Sequence, residues 1–296
     1  MSSVFSRGAS PIGLPHTSRA PLRGRAPFAW LARGARSHAV LVTVCVMAVS
    51  VPQAQAPLRV CADPNNLPFS NEHGDGFENK IATLVARELH RPLKYFWLPQ
   101  RRGFIRNSLN AGRCDVVIGI PVQYGLLQPT TSYYRSSYAF VSRRDRHLRI
   151  DSFDAPPLKT LTIGIQVSGD DYNNPPAAQE LASRHIVQNV RGFTVYGDYS
   201  RPDPQRAIVD AVADGRVDIA IVWGPLAGYY ARRESTPIDV TPVTGVSNGA
   251  ASRFTFDIAM GVRRDDTTLR AALDTVISHR AGAIRQILRT YGVPLR

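Results

Sequence analysis

The chain contains a long internal repeat, and that repeat limits its architecture more than any other feature. Leu58-Arg59-Val60-Cys61-Ala62-Asp63 is echoed by Leu161-Thr162-Ile163-Gly164-Ile165-Gln166. Farther on, Gly112-Arg113-Cys114-Asp115-Val116-Val117-Ile118 is echoed by Gly215-Arg216-Val217-Asp218-Ile219-Ala220-Ile221. The two offsets, 58 to 161 and 112 to 215, are both 103 residues. Each half therefore opens with an apolar strand and reaches a helix, a Gly-Arg turn and a buried strand at the same distance. That pattern predicts two lobes of similar topology.

Between the repeated segments, strand and helix alternate. Phe77, Ile81, Leu84, Val85 and Leu89 share one face of a helix, which Arg91-Pro92 ends. Leu93 to Trp97 reads as a strand, Phe104 to Asn110 as a helix, and Val116 to Ile120 as a fully buried strand. In the second half, Asn174 before Pro175-Pro176 and Asp203 before Pro204 read as helix caps. Parallel strands joined by helices imply right-handed βαβ units in both lobes. Tyr138 to Ser142 and Phe256 to Val262 read as two crossing strands that leave and re-enter the first lobe. Helices near Thr267 to Ser278 and Ala281 to Tyr291 then return to it. The expected division is α/β, with lobe 1 discontinuous over 57–141 and 259–296 and lobe 2 over 142–258.

The first 56 residues do not belong to that plan. Met1 to Arg36 carries six Arg and no Lys, Asp or Glu. Ala39 to Val51 is apolar but too short to span a bilayer comfortably, and the small-residue segment Ala54-Gln55-Ala56 follows. This order reads as a secretory signal cleaved near Ala56; a membrane anchor is the other reading of it, and both favour export. Without the six leader arginines the formal charge of +13 becomes +7, a basic surface suited to anionic ligands or an acidic protein. No nucleic-acid recognition motif is present. Cys45 lies in the leader, leaving Cys61 and Cys114 either to bond in an oxidising compartment or to remain thiols. Cys61 falls late in its strand and Cys114 at the start of its own, so a bond requires a register shift or a bend.

Over nearly all of residues 57–296 the sequence resembles the type II periplasmic solute-binding proteins. The segments LRVCAD, GFENKIATLVA, AGRCDVVIG, LKTLTIGIQVSGD, DGRVDIAIVW and FDIAMGVRRDD carry that likeness. More narrowly, VCADPNNLPFSN, GFENKIA, LPQRRGFIRNSLNAGRCDVVIGIP and TSYYRSSYAFVSR resemble the methanol oxidation J proteins. The resemblance implies a periplasmic binding protein-like II fold, two similar lobes joined by two crossing strands. It also implies a periplasmic partner of a pyrroloquinoline-quinone (PQQ) dependent methanol or alcohol dehydrogenase, acting with its cytochrome c and carrying no cofactor of its own.

In lobes of this kind, loops at strand ends line the ligand cleft. The first lobe offers Asp63, Asn65, Asn66, Phe69, Gln100, Arg101, Arg102 and Gly119 to Pro121. The second offers Gln166, Ser168, Gly169, Asp170, Asp171, Trp223 and Gly224. Asn66, Gln166 and Ser168 can orient a polar ligand, Phe69 and Trp223 can stack on one, and Arg101 and Arg102 can grip an anion bidentately. Each has a plainer reading: Asp63 as turn chemistry, Trp223 as packing, Ser168-Gly169 as a turn.

Amino-acid-binding members of the wider family resemble one another in an Arg shortly after the strand matching Val116 to Ile120, which clamps the α-carboxylate. Here Pro121-Val122-Gln123-Tyr124-Gly125-Leu126-Leu127-Gln128 contains none. The acid expected near the end of VDIAIVW is replaced by Trp223. An ordinary amino-acid receptor is therefore disfavoured, and the reading is an accessory protein that docks the dehydrogenase through a basic face including Arg101, Arg102, Arg143 and Arg144. The alternative is an ABC transporter receptor for a small polar or aromatic ligand that is not an amino acid. No nucleophile, zinc or thiol motif supports catalysis or metal binding.

Overall fold

The computed structural model describes residues 55–167, 175–194, 199–244 and 254–296. Gln53–Arg296 forms one compact unit. The expected leader, and Asn174 as a cap, lie outside the described residues. The chain begins with β1 (Leu58–Ala62), the short hairpin β2 (Asn65–Asn66) and β3 (Ser70–Asn71), α1 (Phe77–Glu88), β4 (Leu93–Trp97), α2 (Phe104–Asn107) and β5 (Val116–Pro121). Then come β6 (Gln128–Pro129), the long β7 (Tyr134–Arg143), β8 (Ile163–Val167), α3 (Pro176–Ser183) and β9 (Val190–Thr194). The chain ends with α4 (Ala207–Ala213), β10 (Ile219–Trp223), α5 (Gly224–Ala231), β11 (Ile238–Pro242), β12 (Thr255–Val262) and α6 (Thr267–Thr290).

The strands order as β4-β1-β5-β12-β7-β10-β8-β9. β1 runs parallel to β4 and β5, and β8 runs parallel to β9 and β10. The two halves meet where Tyr134–Ser137 of β7 pair antiparallel with Thr255–Ile258 of β12. Past that point β7 pairs with β10, and β12 pairs with β5. α1 buries Phe77, Ile81 and Val85 against the first half of the sheet, and α6 adds Leu273, Ile284 and Leu288. α4 and α5 bury Ile208, Val212 and Leu226 against the second. α6 is the two expected C-terminal helices, running on from one another across a kink at Arg280, whose φ of −110° and ψ of 15° leave the helical range. α2 is shorter than expected, ending at Asn107, and Asp203 caps nothing with its side chain but sits at a left-handed φ of 49°.

The repeated Gly-Arg-x-Asp turns do the same work in both halves. Gly112 and Gly215 adopt left-handed φ values of 68° and 74°, which glycine reaches without steric penalty. The Asp three residues on then ties the turn to the opening strand. The Arg59 backbone N–H donates to Asp115 at 3.1 Å, and the Asp115 N–H donates to the Arg59 carbonyl at 2.7 Å. The Thr162 N–H donates to Asp218 at 2.8 Å, and the Asp218 N–H to the Thr162 carbonyl at 2.9 Å. Arg59 and Thr162 stand at the repeat offset, as do Asp115 and Asp218. A bend at Asp115 turns the chain out of strand geometry just before β5, bringing the Cys114 and Cys61 Cα atoms to 5.4 Å in a disulfide.

Burial pushes the Asp115 carboxyl up, but hydrogen bonds from the Arg59 side chain and backbone outweigh it and hold the group below its ordinary 3.8. Its contribution to stability is therefore present above that value and lost as pH falls below it. Asp115→Asn and Asp218→Asn should each cost about 1–3 kcal/mol in urea unfolding, with the Asp115 deficit shrinking at acid pH. Mass spectrometry without reductant should find Cys61 linked to Cys114.

Candidate functional site

A cavity of about 410 Å³ opens between the strand ends of the two halves. Asp63, Asn66, Phe69, Arg101, Pro121, Gln166 and Trp223 all line it. Ser168, Gly169 and Asp170, like Asp171, lie outside the described residues. Arg102 is exposed and does not line the cavity.

Asp63, at the end of β1, is buried and fully engaged. Its Oδ1 accepts the Asn65 N–H at 2.8 Å, the expected turn bond. Its Oδ2 accepts the Gln100 N–H at 2.6 Å and the Tyr199 hydroxyl at 2.6 Å. Tyr199 comes from the second half of the chain, so the carboxylate ties two loops of the first half to the second. The Arg101 guanidinium lies 5.1 Å from the centre of the Tyr199 ring, within cation–π range. Asn65 Nδ2 donates to the Arg201 carbonyl at 2.9 Å, and the Tyr230 hydroxyl to the Leu67 carbonyl at 3.1 Å, across the same closure. Asn66 donates to the Gln100 side chain at 3.2 Å.

On the opposite wall Gln166 is also engaged, accepting the Trp223 N–H at 3.0 Å. That bond joins the ends of β8 and β10. The Trp223 ring packs 5.5 Å from Tyr138 and 5.7 Å from Phe256, so the second-half wall is aromatic where a zwitterion receptor carries an acid. At the other expected ionic position Pro121 and Tyr124 face the cavity. Among the described residues the lining contains one guanidinium, Arg101, and it lies over the Tyr199 ring.

Glu78 is the lining residue that sequence reasoning passed over. It occupies the first turn of α1, where an acid complements the helix dipole. Its carboxyl has another setting. The first amides of α1 are satisfied by loop carbonyls, Phe77 N–H by Pro68 at 2.8 Å and Glu78 N–H by Phe69 at 2.9 Å. The carboxyl instead reaches the floor of the cavity beside Gly119, where a Cβ would stand 2.0 Å from its Oε1. Burial, with a smaller push from the negative charge of Asp63, raises this carboxyl to about 8. Tyr199 was equally invisible, because residues 199–202 show no periodicity and its contact depends on closure of the chain over 136 positions.

No protein-family model matches the chain. It is 34% identical to Protein MoxJ of Methylorubrum extorquens AM1 over 245 residues, covering 80% of this chain and 81% of that protein. The chain belongs to the MoxJ family. Two solved structures agree with that membership. The crystal structure of periplasmic binding protein XoxJ from Methylobacterium extorquens AM1 is 34% identical with a TM-score of 0.66, covering 81% of this chain and 99% of that one. MxaJ from Methlophaga aminisulfidivorans MPT is 26% identical with a TM-score of 0.70, covering 81% and 100%. The MoxJ-family chain thus has the periplasmic-binding-protein fold that its family resemblance implied. Among its described residues no helix is long and apolar enough to cross a membrane, and no group of side chains is arranged to hold a metal ion.

The raised Glu78 carboxyl has a pH signature. The folded protein keeps a proton that the unfolded chain releases near 4.5, so stability should fall as pH rises from there towards 8. Glu78→Gln should flatten that decline in thermal unfolding curves recorded across the window, and should melt higher than the parent at pH 8.

Proposed function

We propose that this MoxJ-family chain is an exported, non-catalytic accessory protein that docks onto a PQQ-dependent methanol or alcohol dehydrogenase during its maturation or operation. The observation that carries this reading is the cleft: its scaffold is that of a solute receptor, yet Asp63 is bonded within the chain and, among the described residues, no uncommitted guanidinium lines the cavity to clamp an α-carboxylate. A scaffold kept without its usual grip fits a role in protein contact. The basic leader followed by a short apolar stretch and Ala54-Gln55-Ala56 fits export to the periplasm and cleavage near Ala56.

The docking face favoured by the geometry is narrower than the four arginines singled out in the sequence. Arg143 is paired with Asp145, and Arg144 with Asp239 at 2.8 Å, so both are locally neutralised. Arg101 covers Tyr199. Arg102 and Arg106, in contrast, are exposed and have no ion pair among the described residues. Arg102 precedes α2 and Arg106 lies within it; the buried Phe104 and Ile105 of this helix pack with Leu127, at the base of a loop that exposes Tyr124 and Leu126. Exposed apolar side chains flanked by cations suit an acidic protein surface. The cavity itself is what favours the second reading, a transporter receptor for a ligand other than an amino acid.

Purified chain and the dehydrogenase from the same source should associate in surface plasmon resonance, at a rate that falls steeply with salt. The double variant Arg102→Glu, Arg106→Glu should slow association about tenfold or more without changing thermal stability. A deletion strain whose dehydrogenase remains fully active would contradict the accessory role.

A further inference from the structure

Glu78 raises a question that a docking role leaves open. Among the described residues its carboxyl has no side-chain hydrogen bond and no cation near it; the charged group acting on it is Asp63, which is of the same sign. Glu78 is part-buried in the cavity wall, where ionisable groups are ordinarily paired, and a carboxyl that served only the helix would lie against amides already satisfied here by Pro68 and Phe69. Gly119 leaves room for it, since a side chain there would collide with the carboxylate. Aromatic side chains, Phe69, Tyr134, Tyr138, Trp223 and Phe256, share the lining with amides and aliphatic groups.

We propose that the cleft is a binding site for a small organic cation, an alkylammonium without a carboxylate, whose charged head is held by Glu78 and the surrounding aromatic rings. Ring quadrupoles attract ammonium groups, most strongly in a desolvated pocket, and the carboxylate supplies the counter-charge. A carboxylate on the ligand is disfavoured, because Arg101 is engaged over Tyr199 and no other guanidinium among the described residues lines the cavity. The cavity of about 410 Å³ falls within the size range of small-molecule sites. The titratable groups facing Glu78 are Asp63 at the end of β1, Tyr95 on β4, and Tyr133 and Tyr134 at the start of β7. Arg101 stands elsewhere in the same lining. The three tyrosines are raised by burial and stay neutral, so Glu78 is the group that changes charge near neutrality. At pH 7 it holds a proton in the free protein, and an arriving ammonium expels that proton to the buffer. This inference does not rest on the dehydrogenase reading and fails or stands separately from it.

Calorimetric titration of the mature chain with choline, tetramethylammonium and propylammonium tests it, alongside the neutral choline isostere 3,3-dimethylbutan-1-ol and the zwitterion glycine betaine. At least one ammonium should bind at one site, about tenfold or more tighter than both the isostere and betaine. Its apparent enthalpy at pH 7 should differ between buffers of different ionisation enthalpy, reporting proton release. Glu78→Gln should weaken the ammonium about tenfold or more and abolish the buffer dependence. Gly119→Ala, which displaces the carboxyl without removing it, should also weaken binding. Equal affinity for the neutral isostere, unchanged affinity in Glu78→Gln, or no binding of any of the three cations at millimolar concentration would overturn the proposal.

Discussion

The carboxylate of Asp63 organises the cleft. It accepts three hydrogen bonds, from the Asn65 and Gln100 amides and the Tyr199 hydroxyl, and so fixes two loops of the first half and one residue of the second. Charge-assisted bonds of this kind are the stronger class of hydrogen bond. They leave little accepting capacity for a ligand, since both oxygens already face donors of the chain itself. Beside it Arg101, the one cation of the lining among the described residues, is drawn over the Tyr199 ring and so is also turned inward. A site that commits its guanidinium to its own closure has none left to grip the carboxylate of a zwitterion.

That closure is built on a duplicated frame. Asp115 and Asp218 tie equivalent turns to equivalent strands through paired backbone bonds, and β7 and β12 cross between the halves in antiparallel register. The crossing strands place Tyr134, Tyr138, Phe256 and Ile258 in the cavity wall. The elements that join the halves therefore also supply much of the cleft's aromatic surface. The frame and the cavity's chemistry are linked through these two strands.

Most of the frame was legible because it rests on local periodicity. β4 spans Leu93–Trp97 as its apolar run indicates, and α1 starts at Phe77 where the helical face begins. The break expected near residues 279 and 280 is the bend at Arg280. The site was legible only where it coincides with strand ends: Asp63, Pro121, Gln166 and Trp223 were reachable from topology alone. Glu78 was hidden because an acid in a first helical turn has a sufficient local reason to be there. Tyr199 and the Arg144–Asp239 pair depend on contacts between distant positions that no local pattern encodes, whereas Asp203 does stand just before the helical turn begun by Pro204, but in a left-handed conformation and without a side-chain cap bond.

The central claim is that a receptor fold has been kept while its cleft lost the ability to hold a free amino acid. Titration calorimetry of the mature chain against each of the common L-amino acids tests it most directly. The account predicts no saturable binding below millimolar concentration for any of them. A one-site isotherm with micromolar affinity for any zwitterionic amino acid would contradict it.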